Sequence, residues 1–150
     1  MRNKGYTIIE MVIVVALMGV IATMAFPRIR GALDRQNVRS ARAAAQTFVV
    51  KARAAAVQRG CRGTLHLPAD GRMWVTVCRL VPAGLSTRDT LGPIETLAAR
   101  YNVTIVPSRD SVAFDARGLK INFERVTVAF THGAITDSLV VNELGKVVRQ

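Results

Sequence analysis

The sequence predicts an α+β protein: one long amino-terminal helix packed on a carboxy-terminal antiparallel β-sheet domain. Three observations predict it. The apolar run Ile8–Phe26 has the length of a helix and no proline or polar break beyond Glu10 and Thr23. Residues 28–59 follow without proline and are rich in Ala and Arg, both strong helix formers. From Gly60 onward the apolar residues alternate in short runs separated by Gly, Pro, Asn and Asp, the punctuation of strands and turns. The chain divides accordingly at residues 27 and 60.

Composition sets the outer limits. The chain has 150 residues, room for one ordinary domain, and 50% are hydrophobic, which excludes a disordered chain. Two cysteines cannot build a multi-disulfide or multi-cysteine zinc module. The formal net charge is +11, from 21 Lys+Arg against 10 Asp+Glu. Such an excess suits an anionic partner: nucleic acid, a lipid headgroup surface or an acidic protein face. Most of the basic residues are Arg, which base composition of the genome also explains. The excess is uneven, because residues 1–60 hold ten basic and two acidic side chains.

The first element is the apolar run. Its 19 residues span about 28 Å as a helix, enough for a bilayer core. Arg2 and Lys4 precede it, and by the positive-inside rule they stay cytoplasmic. A buried core helix fits poorly, since a small domain lacks neighbours to cover it all round. A removable signal peptide is a second reading, because Thr23-Met24-Ala25 is a small-x-small site that would release a chain starting at Phe26. Glu10 argues for a retained anchor. A carboxylate at mid-membrane costs about 2.5–3.5 kcal/mol on insertion scales, so it needs a partner and marks function.

Lys4-Gly5-Tyr6-Thr7-Ile8-Ile9-Glu10, followed by the apolar run, resembles the processing motif of type IV pilins and type II secretion pseudopilins. The resemblance implies that residues 1–5 are a leader, cut between Gly5 and Tyr6 by a prepilin peptidase. It implies N-methylation of Tyr6. It also gives Glu10 its partner, the amino terminus of a neighbouring subunit during assembly. Pro27 falls where many members have a helix-loosening proline. Residues 6–27 are then the transmembrane and assembly helix. The protein is expected in the bacterial inner membrane as a single-pass chain, amino terminus cytoplasmic and carboxy-terminal domain periplasmic, and in a filament with other pilins after assembly.

Residues 28–60 continue as an amphipathic half of the helix. Ala41, Ala45, Phe48, Ala52 and Ala56 recur at spacings of three and four and make one apolar face. Its alanines allow close approach of a sheet or a helix. Arg35, Arg39, Arg42 and Arg53 form a second stripe, either a solvated face or a contact with acidic neighbours or anionic lipid. Pro27 is expected to kink the helix, since it removes a hydrogen bond and crowds the preceding turn. Gly60 is the expected stop.

Residues 61–150 are expected to form the β-rich domain. Thr64–Leu67 and Arg72–Leu80 read as strands joined by the four-residue loop Pro68-Ala69-Asp70-Gly71. In that register Leu67 faces Arg72, and Cys61 faces Cys78. A two-residue Asp-Gly loop would leave the cysteines diagonal. The pair is a disulfide or two buried thiols, and export to an oxidising compartment suits the disulfide. Val81–Pro93 reads as a loop, and Ile94–Tyr101 as a short helix or a strand. Further strands are expected at Asn102–Val106, Ser111–Phe114, Leu119–Thr131, Ser138–Val141 and Lys146–Arg149. The apolar phase slips at Glu124-Arg125, which suggests a β-bulge.

Within the pilin-like group the resemblance is closest to pseudopilin H and FimT-like minor pilins. It rests on the long Arg/Ala helix, the Pro-x-Asp-Gly hairpin followed by Trp74, the run Val112–Gly118 and the terminal Gly145-Lys146-Val147-Val148-Arg149. Some FimT-like proteins bind DNA in natural transformation through a Gly-Arg-x-Arg tail. Here Lys146 replaces the first Arg and Arg149 comes one residue late, so phosphate contact would be weak and salt-sensitive. No catalytic, nucleotide or cofactor motif occurs, and His66 and His132 lack metal-ligand spacing. The expectation is a non-enzymatic subunit without cofactor or metal.

Overall fold

The computed structural model describes residues 6–79, 87–122 and 124–149. Helix α1 runs over Ile8–Arg59, 52 residues, and is continuous through Pro27. It ends as expected at Gly60. The Gly60 N–H donates to Val57 O (3.2 Å), the Cys61 N–H donates to Ala56 O (3.1 Å), and Gly60 takes a φ of 61°. This paired closure satisfies two carbonyls that the helix end leaves open, and it needs a left-handed residue. The chain divides into two compact units within α1, Met1–Asp34 and Arg35–Gln150.

In the second unit α1 carries two antiparallel sheets. Strands β1 (Gly63–His66), β2 (Arg72–Arg79), β3 (Thr87–Thr90), β4 (Glu95–Thr96) and β6 (Ser111–Phe114) form the first, in the order β3-β2-β1-β6 with β4 also on β2. Strands β5 (Thr104–Pro107), β7 (Val126–His132), β8 (Ile135–Val141) and β9 (Val147–Arg149) form the second, in the order β5-β7-β8-β9. Helix α2 (Leu97–Tyr101) stands between β4 and β5. The core joins the predicted helix face to both sheets: Ala41, Ala45, Ala52 and Ala56 meet Leu65, Val75, Phe114, Val128 and Phe130. The alanines do admit close approach. A Cβ on Gly63 would stand 2.6 Å from Ala52 O and 3.0 Å from Ala56 Cβ.

Three expectations are corrected. The hairpin register is displaced by one: His66 faces Trp74 and Gly63 faces Val77. The turn closes from Gly71 N–H to Pro68 O (3.2 Å), with Gly71 at φ 76°. A left-handed glycine after the turn makes a three-residue loop, Ala69-Asp70-Gly71, and moves the ladder by one relative to a four-residue loop. The expected loop at Val81–Pro93 contains β3; residues 80–86 lie outside the described set. Its Thr residues suit a strand, and Pro and Gly punctuate both sides. The strand expected at Leu119–Thr131 begins only at Val126, so the phase slip marks a strand start rather than a bulge. Before it, Asp115 Oδ1 accepts from the Leu119 N–H (2.8 Å) and the Arg117 N–H (3.0 Å), and Lys120 makes one isolated bridge to Phe114. The open alternative at Ile94–Tyr101 resolves to both, β4 and then α2.

Candidate functional site: the amino-terminal helix and its basic flank

The cleavage position Gly5 lies outside the described residues. From Tyr6 the geometry is clear. Thr7 precedes the helix, and its Oγ1 accepts from the Glu10 N–H (3.3 Å). Thr7 is therefore the cap, and Glu10 is the third helical residue. Thr-x-x-Glu at a helix start is the capping-box pattern, a signal that Thr7 and Glu10 display in the sequence itself. A carboxylate in the first turn also faces the positive end of the helix dipole. Glu10 thus has a local reason to stand where it does, beside its expected contact with another chain.

The apolar run is uncovered. Ile8, Val15 and Met18 are 86%, 68% and 64% exposed, and the most apolar 18-residue window has a mean hydropathy of 2.5. The helix is long and apolar enough to cross a membrane. At the end of the run the Arg30 guanidinium lies 4.4 Å from the centroid of the Phe26 ring. An aromatic body with a cationic rim suits the level of lipid headgroups.

The arginine stripe is not uniform. Arg35, Arg39 and Arg53 are exposed, whereas Arg42 is mostly buried and pairs with Asp137 of β8 (Nε to Oδ2, 3.1 Å). Asp137 also accepts from the Ser138 N–H (2.8 Å). Arg42 therefore ties α1 to the second sheet inside one chain. No local pattern could show this, because the two residues are far apart in sequence.

The remaining candidates separate. Cys61 and Cys78 form a disulfide with Cα atoms 6.1 Å apart. The pairing stands although the register that suggested it does not. Cys61 lies before the ladder, next to Arg62, and the Cys78 N–H donates to Arg62 O (3.3 Å). Lys146 lies in the turn before β9, its N–H donating to Asn142 Oδ1 (2.7 Å), and Arg149 stands opposite Leu139 in the ladder. Lys120 is buried and its ammonium donates to Glu124 O. Burial lowers its pKa, with the Glu124 and Glu143 charges opposing. His66 stacks on Trp74, centroids 4.8 Å apart, and bonds Thr76 Oγ1 (2.8 Å). Among the described residues no group of three or more His, Cys, Asp or Glu gathers around a metal-sized space.

A 52-residue helix whose capped, apolar first half is exposed and whose second half builds the core under two antiparallel sheets defines a pilin-like α+β fold. Comparison with known proteins agrees. Residues 1–26 match the prokaryotic N-terminal methylation motif. A comparison with curated proteins finds no match. Two crystal forms of the Pseudomonas aeruginosa type IV minor pilin FimU are similar in structure. One gives a TM-score of 0.60 at 14% identity, covering 77% of this chain and 90% of that one. The other gives 0.56 at 13% identity, covering 75% and 91%. At that identity the likeness is one of fold. The amino-terminal motif is thus that of prokaryotic N-terminal methylation, and the fold is similar to that of a type IV minor pilin.

Proposed function

We infer that the chain is a minor subunit, structural rather than catalytic, of a type IV pilus or a type II secretion pseudopilus. One observation carries this reading: the helix that bears the methylation motif leaves its apolar half uncovered while its other half holds a pilin-like domain together. An uncovered apolar helix needs a bilayer before assembly and other subunits' helices after it. In this reading a prepilin peptidase hydrolyses the Gly5–Tyr6 bond, and the new Tyr6 amine is N-methylated. Arg2 and Lys4 keep that end cytoplasmic, and the disulfide-bearing domain folds in the periplasm. Glu10 then serves assembly. A carboxylate near the end of an apolar helix attracts the amino terminus of the next subunit and aligns the two helices in depth.

The test is incorporation into filaments in a host whose own copy is deleted. Glu10→Ala should be cleaved normally and fail to enter sheared filaments. Wild-type incorporation of Glu10→Ala contradicts the assembly role. A chain never recovered with filaments contradicts the subunit reading.

A further inference from the structure

The outer face of the first sheet carries chemistry that a membrane-anchored helix does not use. Side chains alternate along β1 and β2, so Leu65, Val75 and Val77 enter the core while Thr64, His66, Trp74 and Thr76 face away. Cys78 is flanked on both sides by arginine. Arg88 of β3 is its partner in the ladder, and Arg62, just before β1, is bonded to it through the backbone (3.3 Å). Adjacent strands lie about 4.8 Å apart, so the two arginine backbones stand roughly 10 Å from each other. The space between them is a pocket of about 240 Å³ lined by Arg62, Thr64, Thr76, Val77, Cys78 and Arg88. Both arginines are exposed, and among the described residues neither has a carboxylate within ion-pair distance. The disulfide fixes the approach of Arg62, since Cys61 is bonded to the residue that Arg62 flanks.

We propose that this pocket receives a carboxylate side chain of an acidic segment on another filament protein, held between Arg62 and Arg88 in the space that Thr64 and Thr76 also line. Two like charges across one pocket repel each other until an oxyanion enters, and guanidinium groups suit carboxylates in paired hydrogen bonds. The occupant is an acidic protein rather than a nucleic-acid strand, because the aromatic surface here is already used. His66 stacks on Trp74 at an interplanar angle of 9°, and the Arg72 guanidinium lies 5.9 Å from the centroid of the Trp74 ring. Bases need an open aromatic face. A second copy of this chain is a poor occupant, since its net charge is +11. The proposal takes the source of its partner from the filament reading and its chemistry from the pocket alone.

Full-length chain in non-ionic detergent micelles is titrated with a pentaglutamate peptide and, separately, with oligothymidylate of equal charge. Backbone amide shifts of Thr64, Thr76 and Arg88 report binding. The peptide should give saturable shifts at these amides, and Arg62→Gln and Arg88→Gln should each weaken it about tenfold. Arg117→Gln, which removes the same charge from an exposed turn, should leave it unchanged. Three outcomes overturn the proposal: no saturable shift, binding by Arg62→Gln or Arg88→Gln as tight as by wild type, or oligothymidylate binding at the same amides at least as tightly as the peptide. The measurement needs no assembly. Binding as expected by a chain that never enters filaments would count against the filament reading alone.

Discussion

Gly63 shows how single residues set this fold. Its lack of a Cβ lets β1 sit against the α1 backbone, where an added methyl would meet Ala52 O at 2.6 Å. Gly63→Ala should destabilise the domain by about 1–3 kcal/mol, the usual cost of forcing extra volume into a packed contact, read from urea unfolding in micelles. An unchanged midpoint would show that the strand can back away. His66 gives a pH dependence. Burial, and then the Arg88 charge, hold its pKa below 6.5. The unfolded chain therefore binds that proton more readily than the folded one. The contribution is complete above pH 6.5 and is lost as pH falls from there through the lower folded-state pKa. His66→Gln should flatten the change in urea midpoint between pH 7.5 and 5.5. Two roles are proposed for Glu10, assembly and side-chain capping, and substitution separates them. Glu10→Gln keeps a side chain able to cap but removes the charge; Glu10→Ala removes both. If charge draws in the neighbouring amino terminus, both variants should be absent from filaments, and only Glu10→Ala should also fray the first helical turn in amide exchange.

At the scale of elements, the hairpin and its disulfide are the most instructive. The sequence reading placed Cys61 and Cys78 together through a four-residue loop. The pair is bonded, yet the loop has three residues, because Gly71 takes a left-handed conformation that absorbs one position. Turn residues are legible in a sequence; which of two neighbouring loop lengths they build depends on packing that is not. Here α2 provides that packing, with the Leu97 N–H donating to Gly71 O (3.0 Å). Replacing both cysteines by Ser should cost about 3 kcal/mol for a loop closed over 17 residues, measured against wild type by urea unfolding. The long helix was legible end to end, since composition, the alanine face and Gly60 all pointed one way. Arg42 was not, because its partner Asp137 is distant in sequence. Asp137→Asn should destabilise by about 1–3 kcal/mol, since it leaves a largely buried guanidinium without its counter-charge. Loss no greater than that of an exposed Arg35→Gln would show the pair to be incidental.

For the whole molecule, the charge that first suggested a polyanion is redistributed. In the proposed mature chain, without Arg2 and Lys4, the side-chain total falls to +9. Arg28 and Arg30 follow the apolar run, where headgroups would meet them. Arg42 is spent inside the domain, and Arg62 and Arg88 frame a pocket on the outer sheet. The fold class, the helix and the motif were readable because each is local or periodic. The division into two sheets, the position of β3 and the arginine pocket were not, because they arise from strands brought together across long stretches of chain. The subunit reading depends on what the amino terminus becomes. Mass analysis of the mature amino terminus, on protein purified from membranes of a host with an active prepilin peptidase, tests this most directly. The account predicts a chain beginning at N-methylated Tyr6. A chain beginning at Phe26, or one still beginning at Met1, would contradict it.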